Sequence, residues 1–268
     1  MIKVIITGSN GLLGQSLLNL LLEEKEKYQV FGFSRGKNRS GREDFSYVSI
    51  DITDPIFLKK SIKEIKPNFI INTAAMTEVD VCEIKKDACD LINVTVVKWL
   101  TQLADELKIH LIHLSTDFVF DGVKGYYKET DIPNPLSYYG LSKVKAEELL
   151  IGSKIDFTIL RTILVYGKVF DMSRSNIVLW VKEMVSKGEE ITVVDDQFRM
   201  PTYVRDLALA CKISIEKKAK GIYHISSSEL LSVFDIAQEI AIVFNLEKRL
   251  IKPISSSSLN KIGLIHSI

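Results

Sequence analysis

The sequence predicts an α/β fold, a Rossmann-type doubly wound parallel sheet with a smaller C-terminal substrate-binding annex, and three observations predict it. Short β-branched runs alternate with longer segments of helical spacing through the first two thirds of the chain. Those runs are apolar nearly throughout, as strands of a parallel sheet covered on both faces must be. The first run also feeds a glycine-rich turn that opens a helix, the order of a dinucleotide-binding unit. After Val165 the rhythm loosens, so residues 1–165 are expected to form an NAD(P)-binding domain and 166–268 a smaller, interleaved substrate-binding region.

Taken in order, Ile2 to Thr7, Val30 to Ser34, Tyr47 to Ile50, Phe69 to Thr73, Leu111 to Ser115 and Phe157 to Arg161 read as strands. Leu12 to Glu24, Pro55 to Ile65, Lys86 to Leu107 and Ser142 to Ile151 read as the intervening helices, and right-handed crossovers would wind them onto both faces of the sheet. In the later part, helices near Asn176 to Lys187 and Val233 to Phe244 and strands at Ile191 to Val194 and Ile222 to Ile225 are assigned to the annex. The last dozen residues, with the serine run 255–258 beside them, read as loop.

The 268 residues carry 35 basic and 34 acidic side chains, so no global field gathers nucleic acid or an anionic membrane, and neither is expected as a partner. Cys82, Cys89 and Cys211 are odd in number and lack the close pairs of zinc sites, which argues for reduced thiols in a cytoplasmic protein and against a disulfide framework. No apolar run is long enough to span a bilayer, and the opening run meets a glycine too early for a signal peptide.

Gly8, Gly11 and Gly14 give the pattern G-x-x-G-x-x-G between the first strand and first helix. Glycine permits the tight turn and lets backbone approach a pyrophosphate, while the helix start offers free N–H groups and the positive dipole end. Gly8, Asn10, Gly11, Leu12, Leu13 and Gly14 are therefore expected against the cofactor. At the end of the second strand Arg35 stands where NAD-preferring sites carry an acid, which suits the 2′-phosphate of NADPH, with NADH possible as well. The competing reading is a solvated basic loop, since Lys37, Arg39 and Arg42 follow. Asp51 suits an adenine amino group or a helix cap.

Tyr139 and Lys143 lie one helical turn apart, and an ammonium beside a phenol favours its phenolate, an arrangement suited to proton transfer. Upstream, Ser115 and Thr116 end a strand at the edge where open α/β sheets bind ligands, so a hydroxyl there can hold a carbonyl oxygen as it becomes an alkoxide. His110 and His113 have strand spacing that separates them onto opposite faces, and both are assigned structural roles with no metal implied; His224 and Trp99 are read as packing residues. Arg199, in a turn-rich stretch, is divided between a nucleotide-diphosphate clamp and a surface salt bridge.

Together the three glycines, Asn72-Thr73-Ala74-Ala75, Asn93, Ser115-Thr116 and Tyr139-x-x-x-Lys143 resemble the extended short-chain dehydrogenase/reductase family. The phrases Ala74 to Asp80, Ser115 to Gly122, Glu129-Thr130-Asp131 and Asp196 to Thr202 are similar to its dTDP-4-dehydrorhamnose reductase branch, over residues 1 to about 260. That resemblance implies NAD(P)H-dependent reduction of the 4-keto group of a nucleotide sugar, dTDP-4-dehydro-L-rhamnose to dTDP-L-rhamnose, for cell-surface polysaccharide. It implies Tyr139 as general acid, Lys143 as its tuner on the nicotinamide ribose, and Thr116 on the keto oxygen with Asp117 beside it. It also implies that Asn93 supports the site and that Asp51, Ile52, Ala74, Ala75 and Thr77 line the cofactor.

Three departures stand against the branch's pattern. Leu164 occupies the place of a sugar-facing tryptophan, Ser16 replaces a glutamate that in some relatives shares a dimer-bridging metal (leaving Asp195 and Asp196 without it, so no metal is expected), and the tail reads as shortened. A monomer or homodimer is expected. Two alternatives to the ketoreductase follow from the same resemblance: a non-catalytic NADP-binding regulatory subunit like that of methionine adenosyltransferase, and another nucleotide-sugar epimerase or dehydratase.

Overall fold

A computed structural model describes residues 1–172 and 174–261. Its strands are β1 (Ile2–Thr7), β2 (Tyr28–Ser34), β3 (Ser46–Ser49), β4 (Phe69–Asn72), β5 (His110–Thr116), β6 (Phe157–Thr162), β7 (Val165–Tyr166), β8 (Ile191–Val194), β9 (Phe198–Arg199), β10 (Thr202–Tyr203), β11 (Gly221–Ile225), β12 (Leu231–Ser232) and β13 (Ile251–Ile254). Its helices are α1 (Leu12–Leu21), α2 (Pro55–Ile65), α3 (Val79–Ile84), α4 (Lys86–Asp90), α5 (Val96–Leu107), α6 (Tyr138–Ile151), α7 (Ile177–Ser186), α8 (Val204–Lys217), α9 (Val233–Val243) and α10 (Ser256–Lys261). Among the described residues no helix is long and apolar enough to cross a membrane.

The first of two compact units holds residues 1–162, 168–172 and 204–225. Its seven-stranded sheet runs β11-β6-β5-β4-β1-β2-β3, and every pairing is parallel. Strands reach fully buried because both faces are covered: Ile5, Ile70, Leu111 and Ile159 face a cluster completed by α2, α5 and α6, while Val4, Ile6, Ile71 and Leu160 face one completed by α1 and α8. That alternation by twos along each strand is the pleat expressed as packing. Local signals set the ends: Asp54 accepts from Ile56 and Phe57 backbone N–H groups ahead of Pro55 at the start of α2, and Ser137 caps α6.

Several expected boundaries move. The strand expected in the annex at 222–225 is β11, paired with β6 as the seventh strand of the central sheet, and residues 204–225 group with the first unit. Helix α8 was not anticipated at all; its buried face is Val204, Leu207, Ala208, Cys211, Ser214 and Ile215, a stripe of correct spacing weakened by small and polar residues. The single helix expected over 86–107 is broken by a π-turn at Leu91–Thr95, and α3 precedes it. Helix α6 begins at Tyr138 rather than Ser142, which puts Tyr139 and Lys143 on one helix. Of the expected C-terminal loop, 256–261 is α10, and 262–268 lies outside the described residues.

The second unit holds residues 163–167, 174–203 and 226–261. Its strands form three short pairs, β7 with β10 and β8 with β13 parallel, β9 with β12 antiparallel. Helices α7 and α9 pack on β8 and β13 around Val181, Val193, Ala237 and Ala241. Asn176 caps α7, and Ser232 with Asp235 forms a reciprocal capping box on α9.

Candidate active site

Because β1, β2, β4 and β5 are parallel neighbours, Gly8, Arg35, Thr73 and Thr116 all emerge at one edge of the first unit's sheet. The glycine turn there is as tight as its pattern requires. Gly8 has φ +69°, and a Cβ on it would come within 3.0 Å of the Ala74 nitrogen; a Cβ on Gly14 would stand 2.3 Å from the Gly8 carbonyl oxygen. Gly11 opens α1 without any side-chain cap, and no acidic residue lies in the first turn, so the N–H groups of Leu12, Leu13 and their neighbours are left for an anion. The Ser9 hydroxyl is buried with no partner among the described residues. A turn with no room for side chains, an uncapped helix start and a spare buried hydroxyl fit a dinucleotide pyrophosphate.

Asn10 has another task. Its amide donates to the carbonyls of Arg35 and Lys37 at 3.3 and 2.9 Å and accepts from the Arg39 N–H at 2.9 Å, so it holds the basic loop in place. Within that loop Arg39 forms a bidentate pair with Asp171, and Arg42 one with Asp44. The side chains of Arg35 and Lys37 make no hydrogen bond or ion pair with the described residues, and both are exposed. Asp51 is not the cap of α2, a place Asp54 takes; its Oδ1 accepts from Thr53 N–H and Oγ1. Ile52 is buried beside it.

After β4, Thr73 Oγ1 donates to the Thr7 carbonyl at 2.6 Å, and Ala74, Ala75 and Thr77 continue along the sheet edge. Asn93, inside the π-turn, accepts from the Met76 N–H at 2.8 Å and donates to the Met76 carbonyl at 2.9 Å and to Ser142 Oγ at 3.0 Å. It therefore ties this loop to α6, and the π-turn is what aims it there.

The Thr116 hydroxyl acts on the Tyr139 phenol from close by, and Thr116 Oγ1 donates to Asp117 Oδ1 at 3.0 Å. Burial is the largest influence on Tyr139 and pushes its phenol up, opposed by Thr116 and reinforced by the Asp117 charge. The expected downward shift of the phenol by Lys143 is outweighed by burial, and the amine of Lys143 is turned to the Leu114 carbonyl at 2.6 Å and to His113 Nε2 at 3.1 Å. Burial also brings Lys143 down to about 8, against the charges of Glu147 and Cys89. Ser115 serves structure: its Oγ donates to Glu147 at 2.5 Å, and Glu147 forms a buried bidentate pair with Arg161.

His110 is structural, bonded to Thr158 Oγ1 at 2.8 Å. His113 is not merely packing, because it reaches Lys143; their contact joins a strand to a helix thirty residues on, and no local pattern announces it. In the second unit, Leu164 adopts φ +41° and packs its side chain against that unit's hydrophobic cluster. Arg199 donates to the Phe198 carbonyl at 2.9 Å and Gln197 Oε1 at 3.0 Å, so the salt-bridge alternative finds no carboxylate partner among the described residues. Asp196 accepts from the Ser256 N–H and Oγ.

The model of the RmlD substrate binding domain family matches residues 2–262. The chain belongs to this family, within the extended short-chain dehydrogenases/reductases. It is 36% identical over 244 residues to dTDP-4-dehydrorhamnose reductase of Aggregatibacter actinomycetemcomitans, covering 88% of this chain and 77% of that protein. It is 30% identical over 258 residues to methionine adenosyltransferase 2 subunit beta of Xenopus laevis, covering 94% and 75%. Among solved structures, dTDP-4-dehydrorhamnose reductase from Bacillus anthracis in complex with NADP superposes with a TM-score of 0.85 at 31% identity, covering 97% of this chain and 86% of that one.

Proposed function

We propose that the chain reduces the 4-keto group of a nucleotide sugar with NADPH, converting dTDP-4-dehydro-L-rhamnose to dTDP-L-rhamnose. The observation that carries the reading is the meeting of buried Tyr139, in the first turn of α6, with Thr116 at the ligand-binding end of β5, where burial pushes the phenol up and so favours its protonated form. Reduction of a ketone requires a proton donor beside the carbonyl oxygen, and a neutral phenol is one.

The N-terminal turn of α1, with Gly8, Gly11, Leu12 and Leu13, would hold the pyrophosphate, Arg35 with Lys37 the 2′-phosphate, Asp51 and Ile52 the adenine, and Ala74, Ala75 and Thr77 the neighbouring ribose. Gly14 lets the helix pack close, and Asn10 acts at second hand by fixing the Arg35 loop. The dihydronicotinamide, when bound, would supply the hydride. Tyr139 donates to the keto oxygen, and Thr116, whose single hydroxyl proton lies on Asp117 Oδ1 in the free chain, joins it by turning that proton to the substrate; both then stabilise the negative charge that develops. Tyr139 then gives its proton to that oxygen and becomes a phenolate, whose formation the charge of Lys143 favours while Lys143 also holds the nicotinamide ribose. Arg199, whose partners among the described residues are neutral oxygens, suits a nucleotide diphosphate.

A second reading, an NADP-binding regulatory subunit, is favoured by the 30% identity to methionine adenosyltransferase 2 subunit beta over 94% of the chain. Incubation with NADPH and dTDP-4-dehydro-L-rhamnose, followed by loss of reduced-nicotinamide absorbance, separates the two. Turnover that disappears in Tyr139→Phe supports the reductase; tight NADPH binding without turnover on any nucleotide 4-ketosugar supports the regulatory reading.

A further inference from the structure

Lys143 is 2% exposed and His113 1% exposed, and their 3.1 Å contact is one link in a longer line. His113 Nδ1 lies 3.1 Å from the Asn72 amide, and the other end of that amide meets Thr7 Oγ1 at 2.6 Å. The line therefore runs from β1, one residue before the glycine turn, through β4 and β5 to the amine on α6.

A neutral imidazole has one proton for two ring nitrogens, so it donates at one and accepts at the other. If the Asn72 NH2 faces Nδ1, that nitrogen accepts, the ring proton sits on Nε2, and Lys143 must accept it as a neutral amine. If Lys143 is an ammonium, Nε2 must accept, the ring proton sits on Nδ1, and Asn72 must turn its carbonyl oxygen to the ring. The Nε2–H tautomer therefore admits only a neutral Lys143, whereas the Nδ1–H tautomer serves either form of the amine, so protonation of Lys143 forces the ring proton onto Nδ1. The 2.6 Å Thr7–Asn72 contact has the length of an O–H···O bond, which favours the first arrangement.

We propose that His113 is a positioning residue for Lys143, its tautomer coupled to the charge on Lys143, so that the line Thr7–Asn72–His113 sets where and in which protonation state the amine is held. The coupling stands on its own geometry; its kinetic consequence rests on the reductase reading above. The groups that act on Lys143 are Glu147 from its own helix and Cys89 from α4, both favouring the ammonium, while His113 feels the charge of Lys143 itself. Burial brings Lys143 to about 8 and keeps His113 neutral, so near that pH the lysine titrates and the histidine answers by moving its proton.

Long-range 1H–15N spectra of the labelled full chain report imidazole tautomers directly, with His113 assigned by comparison with His113→Asn. From about pH 6.5 to 9.5 the wild type is expected to convert from the Nδ1–H to the Nε2–H form with a midpoint near that of Lys143, and Lys143→Met to show one tautomer throughout. A single tautomer across the range in the wild type, or a conversion that survives in Lys143→Met, overturns the proposal. With turnover established, His113→Phe should shift the alkaline limb of the kcat/KM profile about one pH unit lower, the tenfold change expected from one lost charge-assisted hydrogen bond, and His113→Asn should restore part of it. A loss of activity equal at every pH would instead mark a merely structural residue. If no nucleotide sugar is reduced, the spectra still decide the coupling, so failure of the two readings is told apart.

Discussion

Replacing Arg35 by alanine removes one charge from the cofactor edge without disturbing the loop that carries it. The backbone there is held by Asn10, through the carbonyls of Arg35 and Lys37, and by the Tyr47 hydroxyl, which donates to the Gly36 carbonyl at 2.8 Å. Arg39 and Arg42 are engaged with Asp171 and Asp44 and cannot take over, leaving Lys37 as the remaining cation. A hydrogen bond to a charged group is worth about 1.5–3 kcal/mol, so NADPH should bind about ten- to a hundredfold more weakly to Arg35→Ala. NADH, which lacks the 2′-phosphate, should keep its affinity. Titration of both cofactors by nicotinamide fluorescence reads the ratio, with Arg42→Ala as a control expected to change neither. Equal weakening of NADH and NADPH, or none of either, would refute the assignment of the 2′-phosphate to this loop.

Gly14→Ala places a methyl group against the Gly8 carbonyl, a backbone atom that cannot yield, so NADPH binding should be lost and the thermal midpoint lowered, at a cost of about 1–3 kcal/mol or more. Arg161→Met leaves the buried Glu147 charge without its guanidinium, held by the neutral Ser115 hydroxyl, and should cost about 3–5 kcal/mol in urea unfolding, whereas a cost below 1 kcal/mol would mean the pair is solvated. Lys143 titrates at about 8 in the folded chain against 10.5 for the free side chain, so between those values the unfolded state binds the extra proton and stability from this group rises with pH. Cys82 and Cys211, raised by burial from 9.0 to about 12, act in the opposite sense above pH 9, so the quantity to compare is wild type minus Lys143→Met. That difference should grow by up to about 3 kcal/mol from pH 8 to 10.5, and a flat difference would show that Lys143 stays charged.

The elements read well where local chemistry dictates them. The first strand and the helix over 55–65, with Asp54 and Pro55 at its start, are found with their expected bounds, because a β-branched run and a cap are properties of neighbouring residues. Helix α8 escaped because its buried face is built partly of alanine, cysteine and serine, which burial selects only once α1 lies against it. The destination of β11 escaped for a related reason: periodicity reveals a strand but not the sheet it joins. Within the candidate site, the glycines, Thr116, Tyr139 and Lys143 were legible as types at a spacing. The direction in which Tyr139 is shifted was not, since it depends on how completely the fold excludes water from the phenol. Likewise Asn10 and Asn93 carried a cofactor or site label in sequence, and only tertiary contacts reveal that each fixes a loop.

The central claim is that Tyr139 delivers a proton to a keto oxygen while the carbon beneath it gains a hydride. Its most direct test is incubation of dTDP-4-dehydro-L-rhamnose with NADPH deuterated at the transferred position, followed by mass spectrometry and proton NMR of the product. Wild-type chain should yield dTDP-L-rhamnose carrying one deuterium at C4, and Tyr139→Phe should yield none above background. Product without deuterium at C4, or labelled product formed equally well by Tyr139→Phe, would contradict the account.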